Sequence, residues 1–268
     1  MWTPLFCALT LGADPSLATL DARLAQLTDA HKGRIAIAVK HLDTGETYYL
    51  NADAVMPAAD LLMVAVMIET YHQAAEGKLK LTDLLTLRDE DKLPGRGLLA
   101  KHFSAGATFS VRDAVHLMMA VSDRTAANLL LARIGSDNVN RRMEAWGLKE
   151  TRLLDKALHG STTAREMAKL MEDLQTGDRF RPALKQSLLG HLHQNEDRAK
   201  FPRLLPPDTT VGHRDSSSGD AGIMHTPTGP VVVVVLTAQN DDAGLLCARV
   251  ALAVYEHFQA APAKPGRK

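Results

Sequence analysis

Apolar residues recur along this chain with two spacings, one suited to helices and one to strands. The densest helical stretch covers residues 60–75, where Leu61, Leu62, Val64, Ala65, Val66 and Ile68 occupy most of the circumference. A helix that is apolar nearly all round belongs at the centre of a fold rather than on its surface. Helical spacing also marks residues 16–31, through Leu17, Leu20, Leu24 and Leu27, and residues 111–121, 125–134 and 163–174. Ser110 stands before the second of these with Asp113 three positions on, a capping arrangement. Residues 34–40 and 47–50 read as strands around an Asp43-Thr44-Gly45 hairpin turn. Strands return at 209–214, 221–225 and the β-branched run 231–237, the last two joined by Pro227-Thr228-Gly229-Pro230. An amphipathic helix over 243–258 follows. Strands at both ends with helices between predict one sheet built from distant segments plus an inserted helical lobe. No internal repeat is visible.

Composition narrows the partners more than the fold. Lys+Arg and Asp+Glu balance at 31 each, which points away from nucleic acid and anionic membranes. Hydrophobic content of 46% and charged content of 23% are those of an ordinary globular chain. Cys7 and Cys247 are the only cysteines, so neither a disulfide framework nor a cysteine metal site is expected, and no cofactor is implied. Residues 1–15 read as a signal or a disordered segment: the run from Trp2 to Ala13 ends in small residues but has no basic residue before it. An export signal there would make the protein periplasmic or secreted; without one it is cytoplasmic. No other apolar run approaches the about 20 residues that span a bilayer. The expected organisation is a single domain over 16–259, with a sheet lobe at 16–55 and 205–259, a helical lobe at 56–204, and a disordered tail at 260–268.

Three separated stretches carry the candidate chemistry. The first is Met56-Pro57-Ala58-Ala59-Asp60-Leu61-Leu62-Met63, the second Ser122-Asp123-Arg124 ahead of Thr125-Ala126-Ala127-Asn128. The third runs His213-Arg214-Asp215-Ser216-Ser217-Ser218-Gly219-Asp220-Ala221-Gly222-Ile223 and leads into Thr226-Pro227-Thr228-Gly229-Pro230. In order and in flanking residues they resemble the S-x-x-K, S-D-N and K-T-G motifs of the serine β-lactamase and penicillin-recognising enzymes, class A-like. The resemblance runs from about Leu20 to Phe258. It implies an α+β, β-lactamase-like fold, with an antiparallel sheet flanked by N- and C-terminal helices and an all-helical insert.

The resemblance also implies roles, and this chain departs from them at the chemical positions. The family nucleophile Ser falls on Asp60 and its base Lys on Met63, one helical turn away, where neighbouring side chains can exchange a proton. Ser122 takes the place of the proton-relaying Ser, and Arg124 that of the Asn that holds the substrate amide. Arg214 and Asp215 replace the Lys and Thr that bind the substrate carboxylate, Ser216 replaces the Gly, and the backbone at Ser217 lies beside the oxyanion hole. A thioether is no base, and a carboxylate does not acylate as a hydroxyl does. Asp215 repels a carboxylate, a guanidinium accepts no hydrogen bond, and a serine crowds a strand edge that glycine leaves open. The deacylating Glu of a Glu-x-x-Leu-Asn loop has no counterpart in residues 150–163, where Asp155 is a poor substitute. His213-Arg214-Asp215 spells the kinase catalytic-loop tripeptide but lacks its following Asn and any preceding Gly-rich loop.

Losing a nucleophile or its base costs roughly 10⁶ in turnover in a serine protease. The expectation is therefore a catalytically inactive β-lactamase-fold protein, derived from a serine hydrolase acting on β-lactams or peptidoglycan-like peptides. Its partner would be a small molecule or a peptidoglycan-like ligand, and the chain a monomer. The alternative is a repurposed pocket, hydrolytic or ligand- or metal-binding, that uses Asp60, Asp215 or Ser122. Local structural roles explain the same residues: Asp60 as a helix cap, Met63 as core, and Ser122-Asp123-Arg124 as the N-cap of the next helix. In the rebuilt pocket Asp60 is expected to pair with Arg214 and Asp215 with Arg124, with His213 nearby. A second arrangement would gather Asp60, Asp123 and Asp215 around a hard cation, against which the two arginines argue.

Overall fold

A computed structural model describes residues 19–155, 158–238 and 243–259 of the chain. Thr19 opens α1 (Leu20–Asp29), its hydroxyl accepting from the Ala22 N–H at 3.2 Å. The hairpin β1 (Arg34–His41) and β2 (Thr47–Leu50) follows, then the short β3 (Met56–Pro57) and a 3₁₀ turn (Ala59–Leu62) that runs into α2 (Met63–Ala75). The helical lobe continues through β4 (Leu84–Thr86), α3 (Leu99–His102), β5 (Thr108–Ser110), α4 (Val111–Ala120), α5 (Arg124–Ile134) and α6 (Ser136–Ala145). After the short strands β6 (Arg152–Leu153) and β7 (Gly160–Thr162) come α7 (Ala164–Gln175) and α8 (Pro182–His193). The chain then completes the sheet with β8 (Val211–Ser216), β9 (Gly219–Thr226) and β10 (Gly229–Ala238), and α9 (Ala243–Phe258) follows.

The main sheet is antiparallel in the order β2-β1-β10-β9-β8, so β1 lies beside β10 from Arg34↔Ala238 to His41↔Val231. This is the sheet of distant segments that the sequence predicts. The valine run of β10 explains why: Val231, Val233 and Val235 pack with α1 and α9, while Val232, Val234 and Leu236 face the helical lobe. A strand buried on both faces reads as a continuous apolar run rather than an alternating one. On the inner face α7 packs across β1, β9 and β10, and α2 runs through the lobe with Met63 to Ile68 almost wholly buried. These layers leave β8 as the edge strand of the sheet, buried against α8 and the 3₁₀ turn before α2, and that juncture forms the pocket.

The capping arrangement at Ser110 is present, with the Asp113 N–H on Ser110 Oγ and the Ser110 N–H on Asp113 Oδ2, both at 3.1 Å. Three helices were not predicted, the single-turn α3 among them. α6 buries only Val139 and Met143, and α8 only Leu188, His191 and Leu192, so neither has a wide apolar stripe. The segment 1–15, with its expected signal and Cys7, and the tail 260–268 lie outside the described residues. Among the described residues no helix is long and apolar enough to cross a membrane.

Candidate active-site pocket

Three elements converge at the edge of the sheet: the 3₁₀ turn before α2, the turn between α4 and α5, and β8. Two residues here hold a left-handed backbone although neither is glycine, Ala59 at φ 46° and Ser122 at φ 58°. Such conformations cost about 1–3 kcal/mol each and persist only where the surroundings enforce them. They fix the positions of Asp60, the next residue, and of Ser122 itself.

Asp123 is structural. Its Oδ1 accepts from the Ala126 N–H at 3.0 Å and so caps α5, as predicted for this tripeptide. Its Oδ2 accepts from the Leu98 and Leu99 N–H groups at 2.7 and 2.8 Å, tying the preceding loop to the same helix. That loop comes close because Gly97, at φ 121°, has no Cβ; one placed there would lie 2.8 Å from Asp123 Cα and Oδ2. Gly97→Ala is accordingly expected to destabilise the protein by about 2 kcal/mol or more, from the left-handed strain and the clash. Urea unfolding measures this, and an unchanged midpoint would count against the contact.

The remaining charges form a network. Arg124 Nε donates to Asp60 Oδ1 at 2.9 Å. Arg214 is completely buried. Its Nη1 donates to the Met119 carbonyl at 2.8 Å, its Nε to the Asp215 carbonyl at 3.1 Å and its Nη2 to Ser122 Oγ; Nη2 also lies 3.6 Å from Asp215 Oδ1. Arg96, on the loop before α3, donates to Asp215 Oδ2 at 2.6 Å and to Asp197. Asn195 Nδ2 reaches Asp215 Oδ1 at 3.2 Å, and Lys200 Nζ the carbonyls of Ser216 and Gly219. Burial pushes the Asp215 carboxyl up, but Arg214, the Arg96 hydrogen bond and Lys200 outweigh it and hold the group well below the usual carboxylate range. Burial likewise pulls the Arg214 guanidinium down, opposed by Asp215 and Asp60. Above this network lies a cleft of about 510 Å³, lined among others by Asp60, Arg96, Arg124, Lys200, Asp215 and Ser217.

The network gathers Asp60, Ser122, Arg124, Arg214 and Asp215 of the predicted residues but corrects their pairing. Asp60 meets Arg124 and not Arg214, and Asp215 meets Arg96 and Arg214 and not Arg124. Placement along the elements is the cause. Arg214 points from β8 into the helical lobe, opposite Ala221, while Arg124 sits on the first turn of α5 and spans the mouth to Asp60. His213 leaves the pocket for the other face, its Nδ1 3.0 Å from Asp220 Oδ1. Asp60 caps no helix, since neither the 3₁₀ turn nor α2 has a side-chain cap. Its carboxylate goes to Arg124 instead. Met63 is fully buried in the core. Ser216 is buried with its Oγ accepting from the Ser218 N–H at 3.0 Å, while Ser217 is exposed at the hairpin tip. The three carboxylates proposed for a cation do not face one another: guanidinium groups hold Asp60 and Asp215, and Asp123 is spent on backbone N–H groups. Asp155 is outside the pocket, 2.6 Å from His159 Nδ1. Sequence reasoning missed Arg96, Asn195, Asp197 and Lys200. The pairing of Gly95 and Gly97 around Arg96 was the one available signal.

The family model described as the β-lactamase enzyme family matches residues 19–258. The chain belongs to that family. Among curated relatives, the β-lactamase of Streptomyces lavendulae is 28% identical over 242 residues, covering 82% of this chain and 78% of the relative. Among solved structures, an ancestral class A β-lactamase superposes with a TM-score of 0.81 at 27% identity, covering 90% of this chain and 100% of the other. A PBP-A variant, solved as an acyl-enzyme complex with penicillin G, superposes with a TM-score of 0.82 at 23% identity over 90% and 96% of the two chains. That last likeness shows the fold. This β-lactamase-family chain therefore carries an ion-pair network in the cleft between its two lobes.

Proposed function

We propose that this chain is a catalytically silent member of the β-lactamase family, the polar groups of its reaction pocket tied up in ion pairs. On this reading it descends from a serine hydrolase of β-lactams or peptidoglycan-like peptides. One observation carries the reading: Asp60, which the motif resemblance sets at the nucleophile's position, has its carboxylate held at 2.9 Å by Arg124. Met63, which the same resemblance sets at the base's position, is a thioether in the core. Neither side chain can deliver an acyl-enzyme.

Ser122 is the hydroxyl kept from the family's own catalytic set, and its environment speaks against its acting in their stead. The group bonded to its oxygen is the Arg214 guanidinium, a donor with no lone pair to take a proton. Asp215 is engaged by two arginines and an asparagine and is a weak base. The positive-φ backbone at Ala59 and Ser122 supports descent from a working site, because such strain accumulates where side chains must be placed accurately. Guanidinium groups hold Asp60 and Asp215, and backbone N–H groups hold Asp123, which disfavours the cation-site alternative.

Incubation with a chromogenic cephalosporin tests the proposal. The expected result is no turnover above the buffer rate. Turnover that Ser122→Ala abolishes would overturn it and assign the chemistry to that hydroxyl.

A further inference from the structure

The far end of α2 opens a second, larger cavity of about 810 Å³, between α2, α4 and the start of α8. That volume lies within the range of small-molecule sites. Its wall is apolar, from Ala74, Ala75, Leu79, Leu81 and Leu184, with Tyr71 among them. Its rim is cationic. Lys80, Arg112 and Arg181 are exposed, and none of them forms an ion pair among the described residues. Glu76 is the acid in the lining, and it is already engaged by Lys78 at 2.7 Å and Arg142 at 3.2 Å. The other rim cation, Arg179, is held by Asp173 at 2.9 Å and lies over the Trp146 ring. α8 starts at the same rim without a side-chain cap, which leaves the positive end of its dipole there.

The wall also contains a polar point. Tyr71 Oη lies 2.7 Å from His191 Nε2, and His191 Nδ1, also buried, has no partner. Burial pulls the His191 pKa down to about 4, helped by His116 and Arg112, so the imidazole is neutral at physiological pH. The tautomer with its proton on Nε2 would donate to the Tyr71 oxygen and leave the O–H of Tyr71, a residue of the cavity wall, without an acceptor among the described contacts. Arg112 acts electrostatically on both groups. Convergent donors at one end of an apolar cavity are the arrangement that orients an amphipathic ligand.

We propose that this cavity binds a free medium-chain fatty carboxylate, its chain against Leu79, Leu81 and Leu184 and its head group between Arg112 and the Tyr71 hydroxyl. The cationic rim selects the sign of the head group and the apolar wall selects the tail. The site is separate from the ion-paired cleft and independent of whether that cleft is silent.

Titration calorimetry with dodecanoate, kept below its micellar concentration, tests the assignment, with circular dichroism confirming that each variant is folded. One equivalent is expected to bind. Arg112→Gln, an exposed change, should weaken binding about tenfold or more, the scale of losing a charged hydrogen bond. Tyr71→Phe should weaken it by a smaller factor, and dodecyltrimethylammonium should not bind. Absence of dodecanoate binding, equal binding of the two surfactants, or an unchanged affinity in Arg112→Gln would overturn the proposal. Adsorption to phosphatidylglycerol vesicles without dodecanoate binding would overturn it as well, by assigning the face to a membrane surface.

Discussion

Asp215→Asn is expected to lower the unfolding free energy by about 3–5 kcal/mol at neutral pH, because it leaves a buried guanidinium without its counter-charge. Arg214 is wholly enclosed, and Asp215 is the carboxylate that touches it. The same substitution frees one contact of Arg96, which retains Asp197. A pH dependence follows from the depressed Asp215 pKa. A carboxyl whose folded value lies below its unfolded one contributes in full above the unfolded value, about 3.9. The contribution is then lost as the pH falls from there towards the native value. Urea unfolding at neutral pH and in steps below pH of about 4 should therefore show the two proteins far apart at first and converging in acid. Similar stability at neutral pH would mean that the pair does not balance Arg214. Arg214→Met combined with Asp215→Leu should recover most of the loss, since a well-packed apolar pair often replaces a buried ion pair at little cost.

Rebuilding the family chemistry has the larger kinetic effect. The combination Asp60→Ser, Met63→Lys, Arg124→Asn, Arg214→Lys, Asp215→Thr and Ser216→Gly is expected to acylate with penicillin G, a rate gain of up to about 10⁶. The geometry is already favourable, with the backbone at Ala59 and Ser122 held in its strained form. The single change Asp60→Ser should gain little. Its hydroxyl would stand beside Met63, which cannot take the proton, and residues that act as a unit do not contribute additively. The acyl-enzyme should be long-lived, because no Glu resembling the deacylating one is present in residues 150–163. Stopped-flow acylation followed by intact mass would separate the two steps. Rapid steady hydrolysis by the combined variant would show that another group activates the water.

The sequence made the fold legible where burial is wide. The apolar circumference of α2, the valine run of β10 and the Ser110 cap each appear where their spacing placed them. It was silent on α6, a mostly polar helix with two buried residues, and on α8, whose apolar residues show little periodicity. At the pocket the three motif stretches pointed to the residues that meet, but not to their partners. Pairing depends on where along β8 and α5 each side chain leaves, and on a loop that delivers Arg96 from far along the chain. Asn195, Asp197 and Lys200 come from the irregular segment after α8, where charged residues read as solvated surface. Only the fold turns them inward.

The central claim is that this pocket no longer forms an acyl-enzyme. Intact mass of the unmodified chain after incubation with a panel of β-lactams tests it most directly, with the six-fold restored variant alongside. The expected result is no mass shift on the native chain and a single covalent adduct on the restored one. A stable adduct on the native chain would contradict the account and direct attention first to Ser122.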